Sequence, residues 1–154
     1  MNSERKEQYD LLIKQVESFL EGESDIIANM ANISALIKTT FDFWWVGYYI
    51  FKEDQLVLGP FQGPVACTRI PVGKGVCGTS FAEKETLVVA NVHEFEGHIA
   101  CSAESNSEIV VPVIKNGKVF AVLDIDSKNF NDFSETDKNA LEIINQKLAD
   151  TWEN

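Results

Sequence analysis

Three acidic residues and three cysteines dominate the chemistry available to this sequence. In "KVFAVLDIDS", strand alternation puts Phe120, Val122, Asp124 and Asp126 on one face and Val119, Ala121, Leu123 and Ile125 on the other. Both faces are apolar until two carboxylates, roughly 7 Å apart at strand rise, end one of the series. Glu108 opens the preceding strand, "SEIVVPVI". The turn dipeptide Asn116-Gly117 folds that strand back on its successor, which brings Glu108 toward Asp124 and Asp126. Enclosed together, these acids repel one another and lose hydration, so at least one should stay protonated near neutral pH. A neutral carboxyl can donate a proton. Solvated acids where a strand leaves the core are the plainer alternative. Cys101 lies seven residues before Glu108 in a small, polar loop that would carry a thiol toward the acids.

Metal chemistry finds less support. Carboxylates suit hard cations and thiolates soft ones, so the mixture selects neither. His93 and His98 in "HEFEGH" are spaced one residue too widely for the zinc-binding His-Glu-x-x-His helix, and Gly97 interrupts them. The closest cysteine pair, Cys67 and Cys77, has nine residues between, outside structural-zinc spacing. No metal is expected. "GKGVCG" has the form G-x-G-x-x-G, but the helix after it is short and no acid stands where a dinucleotide site needs one. Its glycines can still expose backbone N–H groups to a small anion at a helix start, although a tight loop is the simpler account. In "WWVGYYIF", Trp45 and Tyr49 flank Gly47 on one strand face. Core packing is the expectation from spacing alone, with an apolar ligand wall as the alternative.

The elements that must position these groups follow from periodicity. Tyr9, Leu12, Ile13, Val16, Phe19 and Leu20 mark an amphipathic helix ended by Gly22. A second helix, capped by Ser24, turns Ile26, Ile27, Met30, Ile33 and Ile37 inward. Strands follow around the turn "KEDQ", then a glycine-rich loop with a short helix, the strand "TLVVANV" and the Asn-Gly hairpin. "SETD" caps a last helix carrying Leu141, Ile144, Leu148 and Trp152. The order is α+β: a single domain over 1–154, with helices at about 4–40, sheet and active-site loops at about 43–130, and a C-terminal helix at about 134–152. A central antiparallel sheet carries the N- and C-terminal helices on one face.

At 154 residues the chain can bury a core without staples. Its net charge of −11 argues against nucleic acid or an anionic membrane as partner. The N-terminus lacks the pattern of a signal peptide, and no apolar run approaches the roughly 20 residues of a membrane span, so a cytoplasmic protein is expected. Three cysteines in a reducing compartment are then available for thiol chemistry.

Taken together, "WWVGYYIF", "GPFQGPVACTRIPVGKGVCGTSF", "HIACSAESNSEIVVPV" and "VLDIDS" resemble one family, the free methionine-(R)-sulfoxide reductases, which are built on a GAF domain. The likeness covers most of residues 43 to 134. It implies thiol-dependent reduction of free L-methionine-R-sulfoxide to methionine, with no cofactor. Cys101 would be the nucleophile and Cys67 the principal resolving cysteine, with Cys77 a second candidate. Glu108, Asp124 and Asp126 would surround the sulfoxide oxygen. Trp45 and Tyr49 would line the methyl-thio end, and the backbone around Val76 and Cys77 would receive the carboxylate. A thioredoxin-type reductant would reset the disulfide, and a homodimer is left open. Ser102 stands where the family commonly has aspartate, which puts local hydrogen bonding in question rather than the reaction. A GAF-type binding module and a thiol redox sensor, both without turnover, are the alternatives.

Overall fold

Helical periodicity at both ends and strand alternation between them produce a layered structure. The computed structural model describes residues 2–98 and 104–153. Helices α1 (Asn2–Leu20), α2 (Ile26–Phe41) and α4 (Glu135–Thr151) lie on one face of a six-stranded antiparallel sheet. The strands are β1 (Trp45–Lys52), β2 (Gln55–Gln62), β3 (Arg69–Pro71), β4 (Leu87–Val89), β5 (Ser107–Lys115) and β6 (Lys118–Ser127), in the order β3-β2-β1-β6-β5-β4. Helix α3 (Gly75–Glu83) and the loops around it cover the opposite face. Among the described residues, no helix is long and apolar enough to cross a membrane.

The main core lies under the three long helices. Leu12 and Val16 of α1, Met30, Ile33 and Ile37 of α2, and Leu141, Ile144 and Leu148 of α4 pack on Val46, Tyr48, Val111, Leu123 and Ile125 of the sheet. Two expected inward residues point out instead: Phe19 is 55% exposed and Ile27 is 48% exposed. Each lies at the margin of its helix's apolar stripe, where period counting is least decisive. The cap of α2 is Asp25 rather than Ser24, because its carboxylate accepts the Ala28 N–H at 3.0 Å. At α4 the capping box forms as expected, with the Ser134 N–H donating to Asp137 at 2.8 Å.

Both tight hairpins use two consecutive residues at positive φ, Glu53-Asp54 and Asn116-Gly117, the geometry that matches strand twist. The second hairpin carries a bulge. Val113 pairs with Ala121 and Ile114 with Val119, so Phe120 is the extra residue on β6. Phe120 therefore leaves the face of Val122 and Asp124 and packs on the helix side, 4.0 Å from the Trp152 ring by centroid. Beyond the bulge the alternation is regular and delivers Asp124 and Asp126 to the α3 face.

Candidate active site

The sheet register assembles the acids. Glu108 pairs with Asp126, and Trp45 pairs with Asp126 from the other side. One row further in, Val110 and Gly47 flank Asp124, and the next row holds Pro112, Val122 and Tyr49. Acids occupy the rows at the strand ends while aromatics come from β1. These side chains line one cavity together with Lys74, Val76 and Cys77 from the start of α3, and with Val65, His98 and Ser105.

Little water reaches the carboxyls. Glu108 and Asp124 are each 6% exposed, and Asp126, though partly open, is densely surrounded by protein. Burial, reinforced by the charges of Asp124 and Asp126, holds the Glu108 carboxyl well above its ordinary range. Burial and the charge of Asp124 do the same for Asp126, opposed by hydrogen bonds from Ser105 and Glu108. Asp124 is also raised by burial, but hydrogen bonding from Glu108 and Cys77 draws it back. These opposed effects divide the labour. Asp124 is the acid best placed to hold the charge, and Glu108 and Asp126 are the two whose protons burial and neighbouring charge favour most. Asp124 Oδ1 is, among the described residues, a buried side-chain oxygen with no hydrogen-bond partner.

The aromatic side of the cavity is equally built. A Cβ at Gly47 would lie 2.6 Å from Trp45 Cη2 and 2.4 Å from Phe61 Cβ, so the missing side chain is what lets the indole lie across the strand. Trp45 and Tyr49 stack with centroids 6.0 Å apart. Both also anchor the loop after β2. The indole N–H donates to the Pro64 carbonyl at 3.0 Å, and the Tyr49 hydroxyl donates to the Cys67 carbonyl at 2.8 Å. Cys67 is disulfide-bonded, and Cys77 is a free, buried thiol. Cys101 and Ser102 lie outside the described residues.

Helix α3 reaches this place through its glycines. A Cβ on Gly78 would sit 2.5 Å from the Pro71 carbonyl oxygen, so no other residue allows the helix so close to β3. Lys74 caps the helix without a side-chain hydrogen bond, and its first turn lines the cavity.

Comparison with known proteins places this architecture. Residues 30–153 match the GAF domain model. A free methionine-R-sulfoxide reductase of Escherichia coli is 46% identical, over 94% of this chain and 88% of that protein. One from Saccharomyces cerevisiae is 42% identical, over 93% and 84%. The chain belongs to the GAF-domain family that contains these reductases. The free methionine-R-sulfoxide reductase of Neisseria meningitidis, solved in complex with its substrate, superposes with a TM-score of 0.94 at 44% identity, covering 96% of this chain and 90% of that one.

Within this GAF domain, Trp45, Tyr49, Val76, Cys77, Glu108, Asp124 and Asp126 share a single cavity, and Cys67 sits in the loop that Trp45 and Tyr49 hold. Ser105 was not foreseen; it donates to Asp126 at 3.1 Å, and its signal was only its nearness to Glu108 in sequence. His98, whose spacing from His93 rules out the zinc-binding helix pattern, lines the cavity. His93 is exposed, its ring hydrogen-bonded to Asn106 at 2.9 Å. Cys77 Sγ and one oxygen each of Glu108 and Asp124 lie within 4.8 Å of one another, close enough to enclose an ion. The donor set fits poorly: a thiol and a Glu108 carboxyl that burial keeps protonated, beside the single carboxylate of Asp124, offer neither a soft nor a hard site.

Proposed function

We propose that this chain acts in the cytoplasm as a single-domain enzyme reducing free L-methionine-R-sulfoxide to methionine, with a thioredoxin-type dithiol as reductant. The observation that carries it is the set of three acids held by burial in one cavity with an aromatic wall, beside a loop whose cysteine is in a disulfide. In this scheme the Cys101 thiolate attacks the substrate sulfur while Glu108 or Asp126 protonates the oxygen. Methionine departs and the oxygen remains on Cys101 as a sulfenic acid. Cys67 condenses with it, releasing water and forming a disulfide, which two thiols of the reductant return to the dithiol state.

Trp45 and Tyr49 take the methyl-thio group, and the first turn of α3 around Val76 and Cys77 takes the carboxylate. An ionised Asp124 supplies a partner for the ammonium that a free amino acid has and a residue within a peptide lacks. Selection for the free substrate thus follows from charge.

The test follows NADPH oxidation with thioredoxin and its reductase, offering the free R-sulfoxide, the free S epimer and a blocked R-sulfoxide in turn. Turnover of the free R form alone, abolished by Cys101→Ser, is the expected result. No turnover of any of them with a competent reductant would point instead to a small-molecule binding module.

A further inference from the structure

The Cys77 thiol, as distinct from its backbone, has no task in the scheme above once Cys67 resolves Cys101. Yet it is 4% exposed and faces the acids, with Sγ inside the 4.8 Å group that includes Glu108 and Asp124. Its place is fixed by α3, whose docking needs Gly78 against the Pro71 carbonyl. Across from it stands Asp124, whose Oδ1 is buried without a partner while the carboxylate lines the cavity.

We propose that Cys77 is a positioning residue: its S–H is a hydrogen-bond donor that keeps Asp124 as the anion among the three acids, and it remains a thiol throughout the catalytic cycle. This rests on the reductase function proposed above. The start of a helix ordinarily favours a thiolate. Here burial, with the charges of Asp124, Glu108 and Asp126, pushes the Cys77 thiol well above its usual range. Ionising it would set a second negative charge beside Asp124 in the same enclosure, so it is unsuited to thiol exchange. As a neutral donor it costs no added charge. The titratable groups that line the cavity with Asp124 are Glu108 from β5, Asp126 from its own strand, Tyr49 from β1, Lys74 and Cys77 from the start of α3, and His98 from the segment after β4. Burial raises Asp124, while hydrogen bonding from Glu108 and Cys77 lowers it. An ionised Asp124 in turn holds protons on Glu108 and Asp126. The thiol thereby acts on the proton donors through one intermediate carboxylate.

The experiment compares wild type with Cys77→Ala and Cys77→Ser. In Cys77→Ala, kcat/KM at neutral pH falls roughly tenfold, as for loss of a hydrogen bond to a charged group. The acid limb of its pH profile moves upward, because Asp124 without its donor protonates sooner. Cys77→Ser keeps a donor and returns both toward wild type. In wild-type protein oxidised by the free sulfoxide, alkylation and peptide mapping find the one free thiol on Cys77. Infrared spectra of the substrate-free proteins at neutral pH show more protonated carboxyl in Cys77→Ala than in wild type. An unshifted profile with equal losses in both variants, an oxidised Cys77, or unchanged infrared spectra would each overturn the assignment. If wild type itself fails to turn over, the reductase function falls, and the infrared comparison still decides the role of Cys77.

Discussion

Glu108 on β5 and Asp126 on β6 are direct partners in the antiparallel ladder, so the backbone itself holds two acids side by side. Partners in such a ladder have Cα atoms about 4.5–5.5 Å apart, and neither side chain can swing far from the other. With Asp124 two residues along the same face and α3 closing above, three carboxyls share a space that favours one charge at most. The sheet register forces protons onto carboxyls that would lose them in water.

Removing either the proton donor or the neighbouring anion is therefore expected to impair chemistry while leaving the thiols intact. In Glu108→Gln and Asp124→Asn, turnover of the free R-sulfoxide falls by about 10²-fold or more, the usual scale of positioned acid catalysis. Iodoacetamide still labels the reduced cysteines at the wild-type rate. In wild type, kcat declines as pH rises through the raised Glu108 value, since the proton to be donated is then lost. Wild-type turnover in both variants would remove the acids from the mechanism.

Gly47→Ala tests the aromatic wall. The added methyl meets Phe61 Cβ at 2.4 Å and the Trp45 ring at 2.6 Å, so the indole must move. Its hydrogen bond to the Pro64 carbonyl goes with it, loosening the loop that carries Cys67. The expected result is a raised KM with a stability loss of about 1–3 kcal/mol in urea, as for an overpacked core site. An unchanged KM would show that Trp45 does not touch the substrate.

Asp137 tests the far side of the fold. Fully buried at the start of α4, it accepts from the Tyr9 hydroxyl at 2.6 Å and the Ser134 N–H at 2.8 Å, and pairs with Arg5 at 3.3 Å. Asp137→Ala leaves Arg5 and Tyr9 without that partner and removes half of the capping box. It should cost about 3–5 kcal/mol, measured by urea unfolding, while protein that stays folded keeps its turnover. A loss under 1 kcal/mol would mean that water replaces the carboxylate readily.

Much of the site could be read from local pattern. Alternation on β6 places Asp124 and Asp126 together, and the Asn116-Gly117 turn brings the Glu108 end of β5 beside them; by the turn's register alone Glu108 would pair with Ile125, and the bulge shifts it opposite Asp126. What sequence spacing could not supply was the bulge at Phe120, because an extra residue in one strand leaves no trace in hydrophobic pattern when both faces are apolar. Ser105 and Gly47 act through contacts across strands and loops, and Arg5 meets Asp137 from 132 residues away. Such pairings depend on where helices dock. The cysteine roles came from family resemblance, since spacing among Cys67, Cys77 and Cys101 left their pairing open.

The acid cluster should also leave a signature in stability. Glu108 has a folded-state pKa well above its ordinary 4.5, so between those two values the native state binds more protons than the unfolded chain. Stability contributed by the neutral carboxyl is then fully present below pH 4.5 and declines as pH rises toward the folded value. Glutamine cannot ionise, so Glu108→Gln escapes that decline. Its melting temperature should match wild type near pH 4 and exceed it at pH 8 by about 2–6 °C, the equivalent of about 1–2 kcal/mol for a domain of this size. A variant that is inactive yet more stable at pH 8 separates loss of the proton donor from loss of folding. A melting temperature below wild type at both pH values would mean that Glu108 holds the fold rather than straining it.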